Sequence, residues 1–365
     1  MFTPEVISTG PVRLRLPRED DADAITRAFT DPLITRFIAG APVPYVRDDA
    51  LAFVKTAAQS WDLGGAQFAV ADPETDEWLG GAGLKPVDGQ GTYSIGYLVA
   101  PWARGRGVAS AAARALTEWA FEHGAARMEL LADIENVASQ RVAHAAGFQR
   151  EGVRRGWEPR RDGLRHDMAA FARLSGDAGH PIRPYLPFLP GGSLTDGVVR
   201  LTPITVADAT GFHEMLSDPD VQKYHVPPEA PPFDDLVARC RKTGMWWLAG
   251  ERAEMAVLDA GTGEFAGHIQ LAQVLPGLGQ AMLGYSLLAA FRGRGFATRA
   301  VNLLIRWTFE HTELARVIAG TDPGNAASHR VLERTGFARE ALLRDFLPGP
   351  GGVRKDDLQW VHLRP

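Results

Sequence analysis

Sliding the 365-residue sequence against itself by about 188 positions lays its second half on its first, and this duplication limits the available folds more than any other feature. Arg13-Leu14 falls on Arg200-Leu201, Asp31-Pro32 on Asp218-Pro219, and Gly96-Tyr97 on Gly284-Tyr285. The hexad RGRGVA, Arg104 to Ala109, falls on RGRGFA, Arg292 to Ala297. Further on, Trp119 to His123 meets Trp307 to His311, Asn136-x-x-Ser139 meets Asn325-x-x-Ser328, and Gly147-Phe148 meets Gly336-Phe337. One inserted residue near position 315 moves the offset from 188 to 189. Solenoid and propeller repeats run to roughly 20–50 residues, so a unit this long must be a whole domain. The expected organisation is a first domain over 1–174, a linker over 175–196 and a second domain over 197–365.

The linker, with its run GDAGHPIRPYLPFLPGGS, suits neither a regular helix nor a central strand. Its apolar residues Ile182, Tyr185, Leu186, Phe188 and Leu189 alternate with prolines, which predicts an extended arm packed on one or both domains. Each copy reads as a first strand, a helical region opening at an acidic segment, several strands, and a central strand that ends at the glycine-rich hexad. The helix after the hexad is the clearest element. Ala112, Ala115, Leu116, Trp119 and Ala120 recur at helical spacing, as do Ala300, Leu303, Leu304, Trp307 and Thr308, so one stripe should face a sheet. A short helix is expected from Ser139 to Ala146, stopped by Gly147, and again from Ser328 to Thr335, stopped by Gly336. Closing strands follow at Asp167 to Leu174 and Asp356 to Leu363. Strands and helices mixed in this order predict an α+β fold, with two tandem domains that each form a layered sheet.

Composition narrows the function. With 45% hydrophobic and 23% charged residues the chain can bury sizeable cores. Its formal charge of -5 lacks the overall basic signature of a protein that holds nucleic acid by bulk electrostatics. Cys240 is the single cysteine, which excludes a disulfide framework and a zinc site of several thiolates. The ten histidines show no ligand cluster with carboxylates, and no metal is expected. The first ten residues, MFTPEVISTG, carry no basic segment followed by an apolar one, and no run of 18 apolar residues occurs. The expectation is a cytoplasmic protein that meets neither membrane nor nucleic acid, with an oligomer left open.

The strand, hexad and helix form a site of defined physics: glycines let the backbone approach a ligand, and unpaired amides at a helix N-terminus favour an anion such as phosphate. The spacing has no P-loop lysine and does not fit the dinucleotide fingerprint. Arg-x-x-Gly-x-Ala between a strand and a long helix, with Asn-x-x-Ser and Gly-Phe downstream, resembles the GNAT superfamily of acyl-coenzyme A dependent N-acyltransferases, and most closely its RimJ/RimL-type branch. The resemblance covers nearly all of both halves. It implies a mixed, mostly antiparallel sheet flanked by helices in each half. It also implies that the backbone of Arg104, Gly105, Arg106, Gly107, Val108 and Ala109, and of Arg292, Gly293, Arg294, Gly295, Phe296 and Ala297, holds the coenzyme A pyrophosphate. The preceding strands should splay at Gly96 to Val99 and Gly284 to Leu287, with the pantetheine arm pairing there beside Val99 and Leu287.

Attack of a primary amine on acetyl-coenzyme A needs a proton acceptor, because only the neutral amine carries a free lone pair and such amines titrate near 8 to 10.4. It also needs a donor for the oxyanion and a proton for the departing thiolate. The RimL-like pattern takes its hydroxyl from the serine of Asn-x-x-Ser and its base from a glutamate 22 residues beyond the asparagine. That implies Ser139 as general acid, Glu158 as base and Asn136, with Asn325 in the second copy, as a contact to the coenzyme arm. Read from the residues alone, Asn136 or Ser139 also suits a helix cap, and Glu158 within RRGWEPRRDGLRH also suits a solvated hairpin. The second copy departs here: Leu347 stands at the Glu158 position, Asp345 two residues earlier is the nearest substitute, and a degenerate second site is expected. Two other functions stay open, a non-catalytic acyl-coenzyme A sensor or interaction module and an acyltransferase acting on an antibiotic or metabolite.

Overall fold

The computed structural model describes residues 2–227, 229–349 and 352–365. The chain forms two units, Met1–Arg183 and Pro184–Pro365. In the first unit the strands are β1 (Ile7–Thr9), β2 (Val12–Arg15), β3 (Ala66–Ala71), β4 (Trp78–Pro86), β5 (Thr92–Val99), β6 (Arg127–Asp133), β7 (Gln149–Pro159) and β8 (Arg165–Leu174). Its helices are α1 (Ala22–Ala28), α2 (Pro32–Phe37), α3 (Arg47–Asp62), α4 (Val108–Glu122) and α5 (Val137–Ala145). The strands lie in the order β1-β2-β3-β4-β5-β6-β8-β7. All neighbours are antiparallel except β5 and β6.

The second unit repeats this arrangement with β9 (Leu194–Thr195), β10 (Val199–Pro203), β11 (Ala253–Asp259), β12 (Phe265–Leu275), β13 (Gln280–Leu287), β14 (Arg316–Thr321), β15 (Ala338–Pro348) and β16 (Arg354–Leu363). Its helices are α6 (Ala209–Ser217), α7 (Pro219–Gln222), α8 (Phe233–Leu248), α9 (Phe296–His311) and α10 (Ala326–Arg334). The strand order β9-β10-β11-β12-β13-β14-β16-β15 is the same, again with one parallel contact, β13 to β14. These are two tandem α+β domains, as the duplicated pattern predicted, each of mixed, mostly antiparallel sheet flanked by helices, as the resemblance implied.

The stripe on α4 explains why it sits on the sheet. Ala112, Leu116, Trp119 and Ala120 are buried, and Trp119 meets Phe68 of β3 edge-on at 5.5 Å. Burying a side chain such as Leu116 stabilises by about 1.5–3 kcal/mol relative to exposure. Ala300, Leu304, Trp307 and Thr308 form the buried face of α9 in the same way. The short helices begin two residues before the expected Ser139 and Ser328, at Val137 and Ala326. The reason is that Asn136 and Asn325, not the serines, are the N-caps. Gly147 and Gly336 end them in the left-handed conformation, with φ of +82° and +85°.

The proline-rich stretch divides between the units. Ile182 donates its backbone amide to the His144 carbonyl of the first unit at 2.9 Å. Leu186 and Leu189 are buried in the core of the second, where Phe188 stacks on Trp247 and the Trp247 indole donates to the Pro187 carbonyl at 3.0 Å.

One irregularity positions the site. β5 pairs with β4 from Pro86↔Tyr93 through Gly80↔Val99, but with β6 only at Thr92↔Arg127, Tyr93↔Met128 and Ser94↔Glu129. Among the described residues no further pair joins them, so the strands diverge from Ile95 onward and Gly96 to Val99 lie inside the wedge. β13 and β14 do the same after Met282↔Ile318, which leaves Gly284 to Leu287 in a second wedge.

Candidate active site

At the open end of β5 the chain turns through the hexad into α4. Gly105 and Gly107 adopt φ of +74° and +75°, and Gly107 is the N-cap with no side chain capping the first-turn amides. A side chain added at either glycine would meet nothing within 4 Å. The amides are therefore presented to open space, and an anion is the ligand their dipoles favour. The hexad guanidinium groups face elsewhere. Arg104 pairs with Asp31 at 2.8 Å, while the same carboxylate caps α2 by accepting from the Leu33 amide. Arg106 lies 3.5 Å from Asp72. In the second unit Gly293 and Gly295 take φ of +73° and +80°, Arg292 pairs with Asp218 and Asp220, and the amides before Phe296 and Ala297 are likewise uncapped.

Inside the first wedge, Tyr97 of β5 meets the first turn of α5. The Asn136 side chain accepts from the Ser139 amide at 3.1 Å, which fixes the turn. That places the Ser139 hydroxyl 2.9 Å from the Tyr97 hydroxyl. Burial pushes the Tyr97 phenol well above its usual range, against a smaller downward pull from the Ser139 hydrogen bond. The pair is a neutral, proton-bearing couple at any working pH. The second unit holds the same couple, Tyr285 to Ser328 at 2.7 Å, with Asn325 accepting from the Ser328 amide and burial pushing the Tyr285 phenol up to about 12.

Glu158 lies near the end of β7, opposite His166 of β8. Its carboxylate is half-buried, 3.7 Å from the Arg160 guanidinium. Arg160 in turn pairs with Asp133, at the end of β6, at 3.1 Å, and both of those side chains are almost fully enclosed, 5% and 3% exposed. His166 bridges Asp133 and Asp162 at 3.2 and 2.8 Å. Arg160 also donates to the Phe37 carbonyl at 2.7 Å, and Arg161 donates to the Ile38 and Ala41 carbonyls. Within the basic hairpin Arg155, Arg161 and Arg165 are exposed, whereas Arg160 is enclosed. The hairpin ties the loop after α2 to the strands beside the wedge. Its folding also brings possible ligand atoms of Asp133, Glu135 and His166 within 4.8 Å of one another, a grouping the sequence did not disclose. Arg160 pairs with Asp133 and Arg36 with Glu135, so the acidic charge there is already answered.

The sequence model of the acetyltransferase (GNAT) domain matches residues 12–149 and again 199–338. The chain belongs to the GNAT acetyltransferase family. Among relatives, the "Probable N-acetyltransferase YjcK" of Bacillus subtilis (strain 168) is 36% identical over 95 residues, 26% of this chain and 52%, about half, of that protein. The "Uncharacterized N-acetyltransferase p20" of Bacillus licheniformis is 30% identical over 156 residues, 42% of this chain and 86% of that protein. A solved acetyltransferase (GNAT family) from Bacillus anthracis is 24% identical and aligns with 47% of this chain and 98% of its own, at a TM-score of 0.42.

The two GNAT units differ at the Glu158 position. Leu347 pairs with Lys355 in the register that joins Glu158 to His166. It therefore replaces the carboxylate in place. Asp345, the nearest substitute in sequence, is exposed and sits in a left-handed bulge at φ +48°, where its amide donates to the Asp356 carboxylate. In the first unit Gly156 fills that bulge with the same bond, to Asp167. Arg160, Glu135 and His166 become Gly349, Gly324 and Lys355. Beneath α6 and α8 the second GNAT unit has gained a buried network. Glu254 accepts from Arg239 at 3.1 Å and Arg252 at 3.0 Å and lies 3.2 Å from the His268 ring. Burial pushes the Glu254 carboxyl up, but His268 and Arg239 outweigh it and hold it at about 2.

Sequence reasoning missed Tyr97, Tyr285, Asp133, Arg160 and His166. The repeated Gly-Tyr was visible, but a tyrosine in a strand reads first as packing. Among the described residues no helix is long and apolar enough to cross a membrane.

Proposed function

We propose that the first unit transfers an acetyl group from acetyl-coenzyme A to a primary amine by direct attack in a ternary complex. The observation that carries this reading is the Ser139–Tyr97 hydroxyl couple inside a strand wedge that opens onto an uncapped glycine turn. The residues fit the coenzyme: Gly105 to Ala109 offer amides to its pyrophosphate, and the free edge of Gly96 to Val99 offers a ladder to its pantetheine arm. When bound, the coenzyme supplies the thioester. Glu158 takes the proton that the attacking ammonium must lose, and the Ser139 hydroxyl, backed by Tyr97, supplies a proton to the departing thiolate. Asn136 holds that turn in place. A backbone amide at Val99 faces the oxyanion.

The segment from Phe29 to Val46, which holds α2 and is clamped by Arg160 and Arg161, borders the amine's approach. The second unit keeps an intact cradle at Arg292 to Ala297, so calorimetry should find two coenzyme sites per chain.

The test isolates the first site by closing the second cradle with Gly295→Val. Thiol release is measured with short peptides bearing free N-termini, polyamines and aminoglycosides. Adding Glu158→Gln to that chain should lower kcat by about 10²–10⁴-fold with coenzyme affinity nearly unchanged, the range for a positioned general base. An unchanged kcat would refute the role of Glu158. A wild-type chain that binds no coenzyme would refute the reading as a whole.

A further inference from the structure

The second unit has lost the Glu158 carboxylate, yet it has acquired another on the same face of the sheet. Asp357 lies on β16, one step beyond the pair Thr321↔Leu358, directly across from Asp322. The corresponding residues of the first unit, Met168 and Asp133, are a direct cross-strand pair. Asp357 therefore stands where the first unit has a buried methionine. Asp357 is only 3% exposed, and its Oδ1 has no hydrogen-bond partner. An orphaned carboxylate oxygen at that depth is costly unless something else uses it.

A second difference accompanies the first. Gly320 of β14 stands where the first unit has Leu131, and a Cβ built on Gly320 would lie 2.6 Å from Asp357 Oδ2 and 2.7 Å from Oδ1. The carboxylate thus lies over the bare backbone of β14, leaning from β16 across that strand. The far side of β14 is the wedge, where Tyr285 and Ser328 form their couple and the Phe296 end of α9 opens the cradle. Glycine at 320 puts no side chain of β14 between the acid and that space. Two exchanges, Leu131 to Gly320 and Met168 to Asp357, are needed together for this placement, and both are present.

We propose that Asp357 is the proton acceptor of a second, working acetyl-transfer site, relocated from β15 to β16 when the Glu158 position became Leu347. This rests on the acetyltransferase reading above. In the step, the amine nitrogen forms a bond to the thioester carbonyl carbon and its proton passes to the Asp357 carboxylate. The carbon–sulfur bond breaks, and the thiolate takes a proton from the Ser328 hydroxyl, which regains one from solvent as Asp357 releases its own. Burial, followed by the charge of Asp322, pushes the Asp357 carboxyl up to about 6, near the optimum for a base at neutral pH. Besides Asp322, the charged groups around it are Lys355, two residues earlier on β16, and Lys223 beyond α7, which acts electrostatically on Asp322. The Lys355 ammonium is turned to the Lys223 carbonyl at 3.5 Å. From β15 the facing residue is Leu343.

The test closes the first cradle with Gly107→Val in the full chain, with calorimetry confirming one remaining coenzyme site. Two rates are followed: thiol release with the amine panel above, and slow hydrolysis of acetyl-coenzyme A with no amine added. The expected result is that the Gly107→Val chain retains both rates, that its hydrolysis rate rises with pH through about 6, and that adding Asp357→Asn lowers both at least about 100-fold. Replacing Asp322 with asparagine instead should keep the rates and move the rise to lower pH. Should Gly107→Val disturb folding, Glu158→Gln serves as the background. Rates unchanged by Asp357→Asn, or a chain with its first site closed that binds coenzyme but turns over nothing, would overturn the proposal. Those results leave the first unit's chemistry standing, since that is read separately in the Gly295→Val chain.

Discussion

Replacing Arg160 with leucine should destabilise the first unit. The guanidinium is enclosed and holds three things at once: the buried Asp133 carboxylate at 3.1 Å, the Phe37 carbonyl at 2.7 Å and, more loosely, Glu158 at 3.7 Å. Removing one partner of a buried ion pair typically costs about 3–5 kcal/mol, because the other charge is left in a poor solvent. Asp133 would retain His166 at 3.2 Å, which argues for the lower end, about 3 kcal/mol. For a unit of this size each 1 kcal/mol shifts Tm by about 2–4 °C, so the fall should be about 6–12 °C. The assay is thermal unfolding of the full chain by calorimetry, in which the transition of the second unit serves as an internal reference. The double variant Arg160→Leu with Asp133→Leu should lose markedly less than the sum of the two single changes, since the second removes the charge the first had stranded. A Tm within about 2 °C of wild type, or strictly additive losses, would show that the hairpin clamp carries no such energy.

Two further outcomes are expected. Ser139→Ala and Tyr97→Phe should each lower kcat in the Gly295→Val chain by about 10²-fold, with the double change costing little more than either alone because the hydroxyls act as one couple; independent multiplicative losses would count against that coupling. The second unit should be acid-sensitive through Glu254, whose carboxyl is held at about 2 in the folded state against an ordinary 4.5. A lowered folded value gives stability that is fully present above about 4.5 and lost as pH falls towards 2, about 3 kcal/mol in all. Glu254→Gln should flatten that part of the urea-unfolding profile, and an unchanged slope between pH 2 and 4.5 would contradict the assignment.

Much of the architecture was legible because it rests on local periodicity that the duplication states twice. The stripes on α4 and α9 and the glycines that end α5 and α10 are properties of neighbouring residues. Asn136 and Ser139 were visible, but their spacing suits a cap and a catalytic turn equally; the structure shows the cap, and the turn it fixes sets the Ser139 hydroxyl against Tyr97. Arg160 was hidden in a run of arginines that looked solvated. Its partner Asp133 is 27 positions away on a strand that becomes adjacent only once β6 and β8 pair. Asp357 was hidden for a related reason: in a strand reading RKDDLQWVHL, two consecutive aspartates do not reveal which one points inward. Gly320 settles that only when its strand is laid beside β16.

The wedges have a mechanical consequence. Each unit is in effect two half-sheets stitched by three residue pairs, with helices bridging the seam. A linear molecule with amide groups laid into the opening would complete the missing rungs and lock the halves together. Occupancy and rigidity then become one quantity, and amides bordering the seam at Ile95 to Val99 and Leu283 to Leu287 should exchange with solvent more slowly in proportion to the ligand present.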